Sequence, residues 1–170
     1  KDLATAQALD MHLSKLFDEK QIFRVDHYLA KETVQNTLAF RFANGIFDPV
    51  WNNKYIDHVQ ITLSESSGIT NRGKFYDGVG NLRDVGQNHL LQILALIMME
   101  PPTSFNADGI RQERARILES LHVFSTKDIE RDTFRAQYEG YRDTPGVYSS
   151  STTETYFKIR TELSAPHFQG

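Results

Sequence analysis

Two short segments of the chain concentrate side chains that could do chemistry, and the first is residues 24–31, RVDHYLAK. Five polar or ionisable residues fall within eight positions, where a predicted strand leads into a predicted helix. A helix N-terminus suits phosphate, because its N–H groups are free and its dipole is positive. His27, Tyr28 and Lys31 could add donors and charge to such a site. The alternative is a solvated turn that Asp26 caps.

The second segment, residues 83–92 (RDVGQNHLLQ), contains His89 within a predicted helix. Apolar residues lie one turn before and one turn after His89, so its imidazole is expected among apolar side chains. It is either a buried core histidine or a general base, because histidine titrates near neutrality and needs an acid to orient it. Asp84 would lie about 140° away from His89 around an α-helix. Asp26 would therefore orient the ring better.

Other kinds of site have weaker support. There is no cysteine, and no two of the six histidines are closer than 15 positions, so no metal site is expected. Residues 78–83 (GVGNLR) begin like a dinucleotide fingerprint but end in arginine and follow a loop, so they are interpreted as a false match. Glu65, at the end of a predicted strand, could bind a hydroxyl group or simply be solvated. Residues 111–116 are interpreted as an exposed helix face, and Phe47 and Trp51 as core.

The overall composition is that of a globular protein. The 170 residues are 39% apolar and 24% charged, with a formal net charge of −3. The mild acidity argues against nucleic-acid binding, which uses strongly basic patches. The longest apolar stretch, residues 93–99, is far shorter than the roughly 20 residues that span a bilayer. We therefore expect no nucleic acid or membrane partner and a cytoplasmic location. The missing initiator Met and the form of both ends predict a piece of a longer protein.

Periodicity and turn signals predict the elements that must position these residues. Thr5 is the expected cap of the first helix, and Gly45 is the expected left-handed residue after the second. Helices in the first two thirds and strands throughout favour an α+β fold. The predicted helices are 5–17, 31–43, 82–99 and one from about 106–108 to 121; the predicted strands are 22–25, 55–63, 134–138 and 155–160.

Four blocks of the sequence carry a resemblance to a known family. Residues 24–32 (RVDHYLAKE) closely resemble the substrate-binding signature of glucose-6-phosphate dehydrogenases. Residues 41–52 (RFANGIFDPVWN) are similar to the next characteristic block, and residues 83–92 to the block with the catalytic histidine. Residues 151–156 (STTETY) are similar to a late block. The four blocks occur in the family's order along nearly the whole chain.

The resemblance implies an activity and a role for each matching residue. The family moves a hydride from C1 of glucose 6-phosphate to NADP, or to NAD in some members, and makes 6-phosphogluconolactone at the entry to the oxidative pentose phosphate pathway. By resemblance, His89 takes the proton of the C1 hydroxyl and Asp26 orients His89. The remaining carried-over residues bind substrate: His27, Tyr28 and Lys31 hold the phosphate, and Glu65 and Asp84 bind sugar hydroxyls. No residue is assigned to the coenzyme.

The resemblance also implies an architecture. It assigns residues 1–170 to part of the family's C-terminal domain, in which helices pack on a large, mostly antiparallel sheet that also forms the dimer interface. The Rossmann coenzyme domain is then absent, so this piece alone is expected to be inactive, and the full enzyme is expected to be a homodimer or tetramer. Ala30 replaces the glycine that is usual in the signature. A non-catalytic module for phosphosugar binding or oligomerisation is the alternative.

Overall fold

The structure is a computed structural model that describes residues 2–168. A continuous helix, part π-helix and part α-helix, runs through its middle. It begins as a π-helix over Leu82–Leu90 and continues directly as α4, Leu91–Met98. Within the described range, the other helices are α1 (Leu3–Leu13), α2 (Glu32–Phe42), α3 (Gly73–Tyr76), α5 (Ala107–Glu119) and α6 (Thr126–Asp132). None of these helices has the length and apolarity that crossing a bilayer requires. Single 3-10 turns lie at Glu19–Gln21, Asp48–Val50, Thr70–Arg72 and Tyr141–Asp143.

The sheet in this range is one antiparallel pair. Strand β1 (Thr133–Ala136) pairs with β2 (Tyr156–Ile159), and Phe134 lies opposite Lys158. Both strands confirm the predicted ones at 134–138 and 155–160. Helices with a small antiparallel sheet agree with the predicted α+β class.

The predicted helices are largely confirmed, with differences at their ends. Helix α5 begins after Asn106, whose side-chain oxygen accepts the N–H of Gly109 at 2.8 Å. Helix α1 begins earlier than predicted, because Asp2 is the cap and the N–H of Thr5 donates to it at 2.9 Å. Thr5 as the cap was therefore wrong.

The end of α2 uses a different device from the predicted one. The helix stops at Ala43, which keeps right-handed backbone angles. The side-chain amide of Asn44 donates to the carbonyl of Phe40 at 2.9 Å. It thereby satisfies one of the carbonyl groups that have no partner within the helix at its C-terminal end. In the described range, the glycines with positive φ are Gly80, Gly140 and Gly146, so the left-handed assignment of Gly45 was wrong.

Two predicted strands, 22–25 and 55–63, form no strand and have no partner strand among the described residues. Residues 22–25 are held instead by Arg24, which pairs with Asp10 of α1 and with Glu19, both at 2.6 Å. Residues 55–63 keep part of the predicted alternation, with Ile61 half-buried and its polar neighbours exposed. Alternation predicts which side of a strand faces a core, but a strand also needs a neighbour that completes its ladder.

The hydrophobic core lies where α4 packs between α2 and α5. Its buried residues are Ala95, Leu96, Met98, Met99, Ile117, Ala165 and Phe168. Trp51 packs against this core as predicted, and its indole N–H donates to the carbonyl of Ile97 at 2.9 Å. Phe47 instead stacks on Phe40, with ring centroids 4.2 Å apart. Leu29 also packs against this core, so the segment before α2 lies close to α4.

Candidate active site

The first chemical segment forms a tight turn that leads into α2. The N–H groups of Leu29, Ala30 and Lys31 donate to carbonyl oxygens three positions back, at 3.1–3.3 Å. The N–H of Tyr28 donates to Oδ1 of Asp26 at 3.0 Å. An aspartate that accepts the N–H two positions on builds an Asx turn. The turn therefore holds the Asp26 carboxylate in one place beside the start of the helix.

Alanine causes no backbone strain at position 30. Thr70 is the one non-glycine residue with a positive φ among residues 2–168, so Ala30 lies in an ordinary backbone region. The conformational freedom of the glycine that usually occupies this position is not needed in this turn.

The turn brings Asp26 to His89, which lies 63 positions later at the end of the π-helix. The Nδ1–H of His89 donates to Oδ1 of Asp26 at 2.7 Å. The two side chains are only 11% and 14% exposed. A short hydrogen bond to a carboxylate in a nearly dry place orients the imidazole and stabilises it when it is charged. The arrangement therefore has the form of a general base with its orienting acid.

Three more predicted site residues surround this dyad. The Tyr28 ring stacks on the His89 imidazole, with centroids 4.2 Å apart and planes at 21°. The His27 ring lies edge-on to His89 at 4.6 Å. The ammonium of Lys31 lies 3.6 Å from the centroid of the Tyr28 ring. Asp26, His27, Tyr28, Lys31 and His89 thus form one cluster, with the cationic side chain of Lys31 exposed at its rim.

The π-helix changes the relation between Asp84 and His89. Its N–H groups bond five positions back rather than four, and the N–H of Leu91 reaches the carbonyl of Gly86. Residues five positions apart therefore lie near one another on its surface. Asp84 and His89 are five apart, so the separation of about 140° expected from α-helical geometry is wrong. Short π segments occur frequently at functional sites.

The late block, residues 151–156, fastens the start of this π-helix. Oε1 of the buried Glu154 accepts the N–H of Leu82 at 3.0 Å, and its backbone carbonyl accepts the N–H of Asn81 at 3.0 Å. Gly80 has φ of 79°, and a Cβ there would lie 2.5 Å from Oε1 of Glu154. Gly80 therefore serves a tight turn against Glu154.

A second buried contact holds the same block. The Asp77 carboxylate accepts the hydroxyls of Ser151 and Tyr141 (the latter at 2.8 Å) and the N–H of Tyr148 at 3.2 Å. The Ser151 hydroxyl contributes most to holding the pKa of Asp77 below its usual value. Asp77 thereby ties the loop before residue 151 to the end of α3.

The two predicted hydroxyl-binding residues lie on different segments of the chain. Asp84 is partly buried and pairs with Arg72 at 3.3 Å. Glu65 is exposed, two positions after residue 63. Their roles toward a sugar stay predictions.

One charged residue near the dyad was missed by the sequence analysis. Arg114 of α5 is partly buried, and its Nε has no hydrogen-bond partner among residues 2–168. Burial lowers the pKa of Arg114, while the charge of Asp26 opposes that shift. Glu113 is buried too, so the interpretation of residues 111–116 as an exposed face was wrong at these two positions. The available signal was spacing, because Arg114 lies four positions after Ile110 and so shares its inward face.

The fold also gathers groups that could bind a metal. Ligand atoms of Asp26, His27 and His89 all lie within 4.8 Å of one another. Metal–nitrogen and metal–oxygen bonds of about 2.0–2.2 Å allow two ligand atoms to lie up to about 4.4 Å apart, so the limit of 4.8 Å is close to what one ion can bridge. The Asp26 oxygen is already bonded to His89. The wide spacing of the histidines along the sequence did not predict that two of them would lie close together in the fold. The absence of a metal stays a prediction.

Two family models match the chain. Residues 38–170 match the C-terminal domain of glucose-6-phosphate dehydrogenase, and residues 1–36 match the NAD binding domain of the same enzyme. The two members of the dyad therefore lie in different matches. The assignment of residues 1–170 to the C-terminal domain alone stays a prediction. Leu29 and Val34, which lie in the match to the NAD binding domain, pack against the core formed by α4.

Individual relatives agree with these matches. Glucose-6-phosphate 1-dehydrogenase of Aggregatibacter actinomycetemcomitans is 46% identical over 95% of this chain, and that of Rhizobium meliloti is 44% identical over 96%. The chain spans 35% of the length of each. Among solved structures, the Mycobacterium avium enzyme has a TM-score of 0.90 at 43% identity, with 99% of this chain and 37% of that chain covered. A glucose-6-phosphate dehydrogenase in complex with its substrate glucose-6-phosphate has a TM-score of 0.91 at 36% identity, with 99% and 36% covered.

Proposed function

The chain belongs to the glucose-6-phosphate dehydrogenase family, and we propose that the complete protein oxidises glucose 6-phosphate to 6-phosphogluconolactone with NADP as hydride acceptor. This is the first step of the oxidative pentose phosphate pathway. The observation that supports it most is the 2.7 Å hydrogen bond between His89 and Asp26, which joins two segments 63 positions apart. A family fold retained without catalysis would not need this buried pair.

The base chemistry follows from the orientation of the imidazole. Since Nδ1 of His89 donates to Asp26, the lone pair of the ring lies on Nε2. Nε2 would accept the proton of the C1 hydroxyl as the C1–H bond breaks and the C1–O bond becomes a carbonyl. Asp26 would stabilise the imidazolium that forms, without itself taking the proton. The coenzyme supplies the acceptor for the hydride.

We propose that the exposed side of the cluster holds the substrate phosphate. Lys31 supplies a positive charge, and His27 and Tyr28 supply hydrogen-bond donors within one turn of chain. Glu65 and Asp84 would accept hydrogen bonds from sugar hydroxyls. The face shared by Asp84 and His89 on the π-helix supports this role for Asp84.

The remaining architecture is proposed from the family as well. We propose that residues 1–170, including residues 1–36 that match the NAD binding domain, pack as part of the C-terminal domain on a larger and mostly antiparallel sheet, and that the Rossmann fold that binds the coenzyme lies outside them. The exposed apolar side chains of Phe134 and Tyr156 on β1 and β2 support a further layer over this pair. The complete enzyme would be a cytoplasmic homodimer or tetramer without nucleic acid or membrane partners.

The test is turnover by the complete protein. Full-length protein should form NADPH on addition of glucose 6-phosphate, and 6-phosphogluconolactone should appear in equal amount. A folded protein that binds glucose 6-phosphate but forms no NADPH or NADH would contradict the proposal and favour a non-catalytic phosphosugar-binding module.

A further inference from the structure

We propose that the aromatic ring of Tyr28 is a positioning element for His89, separate from any contact that its hydroxyl makes with substrate. The ring would fix the plane of the imidazole and favour the charged imidazolium that forms when His89 takes a proton. The proposal rests on the proposed function, because it assumes that His89 is the base.

The stacking geometry carries the first step. The two ring centroids are 4.2 Å apart and the planes differ by 21°, so the imidazole lies flat against the phenol ring. Tyr28 is half-buried and His89 is buried. A flat contact in a partly dry place restricts rotation of the imidazole about its last torsion, which is broad in an unconstrained histidine. The hydrogen bond to Asp26 fixes one atom of the ring, and the stack fixes its plane.

The backbone of Tyr28 joins the stack to the dyad. Its N–H donates at 3.0 Å to Oδ1 of Asp26, and the same oxygen accepts Nδ1–H of His89 at 2.7 Å. One residue therefore helps to hold both the carboxylate and the imidazole. His27 lies edge-on to both rings, at 4.8 Å from Tyr28 and 4.6 Å from His89, so movement of either ring meets a third one.

The Tyr28 ring is itself fixed from the rim of the site. The ammonium of Lys31 lies 3.6 Å from its centroid, within the range of a cation–π contact. The hydroxyl of Tyr28 is therefore not the only group that gives this residue a defined place. Replacing the hydroxyl should leave the ring where it is.

The stack should be stronger in the transition state than before it. An aromatic face attracts a cation, so it attracts the imidazolium more than the neutral imidazole. Only an interaction that strengthens as the reaction proceeds accelerates the chemical step. Removing the ring should therefore lower kcat, whereas removing the hydroxyl should act on substrate binding and raise KM.

The experiment compares Tyr28→Phe with Tyr28→Leu and Tyr28→Met in the full-length enzyme. Phenylalanine keeps the ring and removes the hydroxyl, and the other two remove both. Tyr28→Phe should keep kcat within about twofold and raise KM for glucose 6-phosphate. Tyr28→Leu and Tyr28→Met should raise KM to a similar extent and lower kcat by about tenfold, as expected for an aromatic pair. A melting curve of each variant confirms that the comparison is made on folded protein.

A spectroscopic measurement tests the stack without turnover. In histidine-labelled full-length protein, the ring of Tyr28 should shift the His89 Cε1–H resonance upfield, and His89→Asn assigns that resonance by removing it. The resonance should keep its position in Tyr28→Phe and move downfield in Tyr28→Leu and Tyr28→Met. Equal kcat in all three variants, or a resonance that none of them moves, would overturn the positioning role. Wild-type protein without activity, but with the ring-dependent resonance, would instead overturn the proposed function.

Discussion

Replacing Glu154 by alanine should loosen the π-helix that carries His89. Glu154 is only 7% exposed, and its Oε1 accepts the N–H of Leu82 at 3.0 Å. Losing a helix cap costs about 0.5–2 kcal/mol, and leaving a buried donor unsatisfied costs about 1–3 kcal/mol. These two figures describe overlapping effects, so we expect a loss of about 2 kcal/mol in local stability. Local opening of Leu82–Leu90 should then become about 30-fold more frequent.

Hydrogen–deuterium exchange of the full-length protein measures this opening directly. Peptides that cover Leu82–Leu90 should exchange about 30-fold faster in Glu154→Ala, while peptides from α6 should keep their rate. Glu154→Gln is the matched control, because it keeps an oxygen acceptor and loses only the charge that favours a helix N-terminus. That charge is worth about 0.3–1 kcal/mol, so its effect should be a few-fold at most.

Gly80→Ala provides an independent check on the same contact. At φ of 79°, alanine is strained by about 1–2 kcal/mol, and its Cβ would lie 2.5 Å from Oε1 of Glu154. The carboxylate would have to move away from the N–H of Leu82, so Gly80→Ala should also speed hydrogen–deuterium exchange in the peptides that cover Leu82–Leu90. In the double variant the clash disappears, and the effect should be smaller than the sum of the two single effects. Unchanged exchange over Leu82–Leu90 in Glu154→Ala, or strictly additive effects, would refute the reasoning.

Three further predictions concern charge, acid and coenzyme. In the full-length enzyme, Lys31→Ala should raise KM for glucose 6-phosphate about tenfold or more, because it removes a charge-assisted contact with the phosphate. The control is Lys127→Ala, at an exposed position on α6, which should leave KM unchanged. An equal KM in the two variants would refute the phosphate role of Lys31. Because contacts hold the pKa of Asp77 below its usual value, that stabilisation is present above about pH 4 and is lost as the pH falls through the lowered pKa. Melting curves should therefore show a smaller loss on acidification in Asp77→Asn than in the wild type, and an equal loss would contradict this. The isolated 170-residue chain should not reduce NADP in an absorbance assay, because we propose that the Rossmann coenzyme domain, which would hold the nicotinamide against C1, lies outside it. Sustained NADPH formation by the isolated chain would overturn this expectation.

The site was more predictable from sequence than the sheet. Residue type and local spacing indicated His89 as a buried histidine or a base, and Asp26 as its better partner, and the two meet at 2.7 Å. Helices such as α2 and α5 depend on contacts within a few residues, so periodicity and caps predict them. Whether residues 22–25 and 55–63 form strands depends on a partner strand that is distant in the sequence, and alternation carries no information about whether such a partner is adjacent.

Two features near the dyad show what periodicity leaves out. A π-helix and an α-helix differ in which carbonyl each N–H reaches, and the apolar pattern of Leu82–Leu90 does not separate them, so the place of Asp84 was misjudged. Arg114 was assigned to solvent because of its charge, although its spacing from Ile110 indicated the inward face. That interpretation gave more weight to the charge of Arg114 than to its position on the helix, and the position was the better predictor of burial.

The proposed function depends most directly on His89 and Asp26 acting together as the base. The direct measurement is kcat of full-length His89→Asn, Asp26→Asn and the double variant, each with a melting curve and each under saturating glucose 6-phosphate and NADP. His89→Asn should lower kcat by about 10²–10⁴-fold with KM nearly unchanged, since asparagine keeps polar contacts but cannot take a proton near neutral pH. Asp26→Asn should lower kcat too, and the double variant should be little worse than His89→Asn, because the pair acts as one unit. A His89→Asn enzyme that melts early but turns over normally would show a structural histidine and would contradict the dyad.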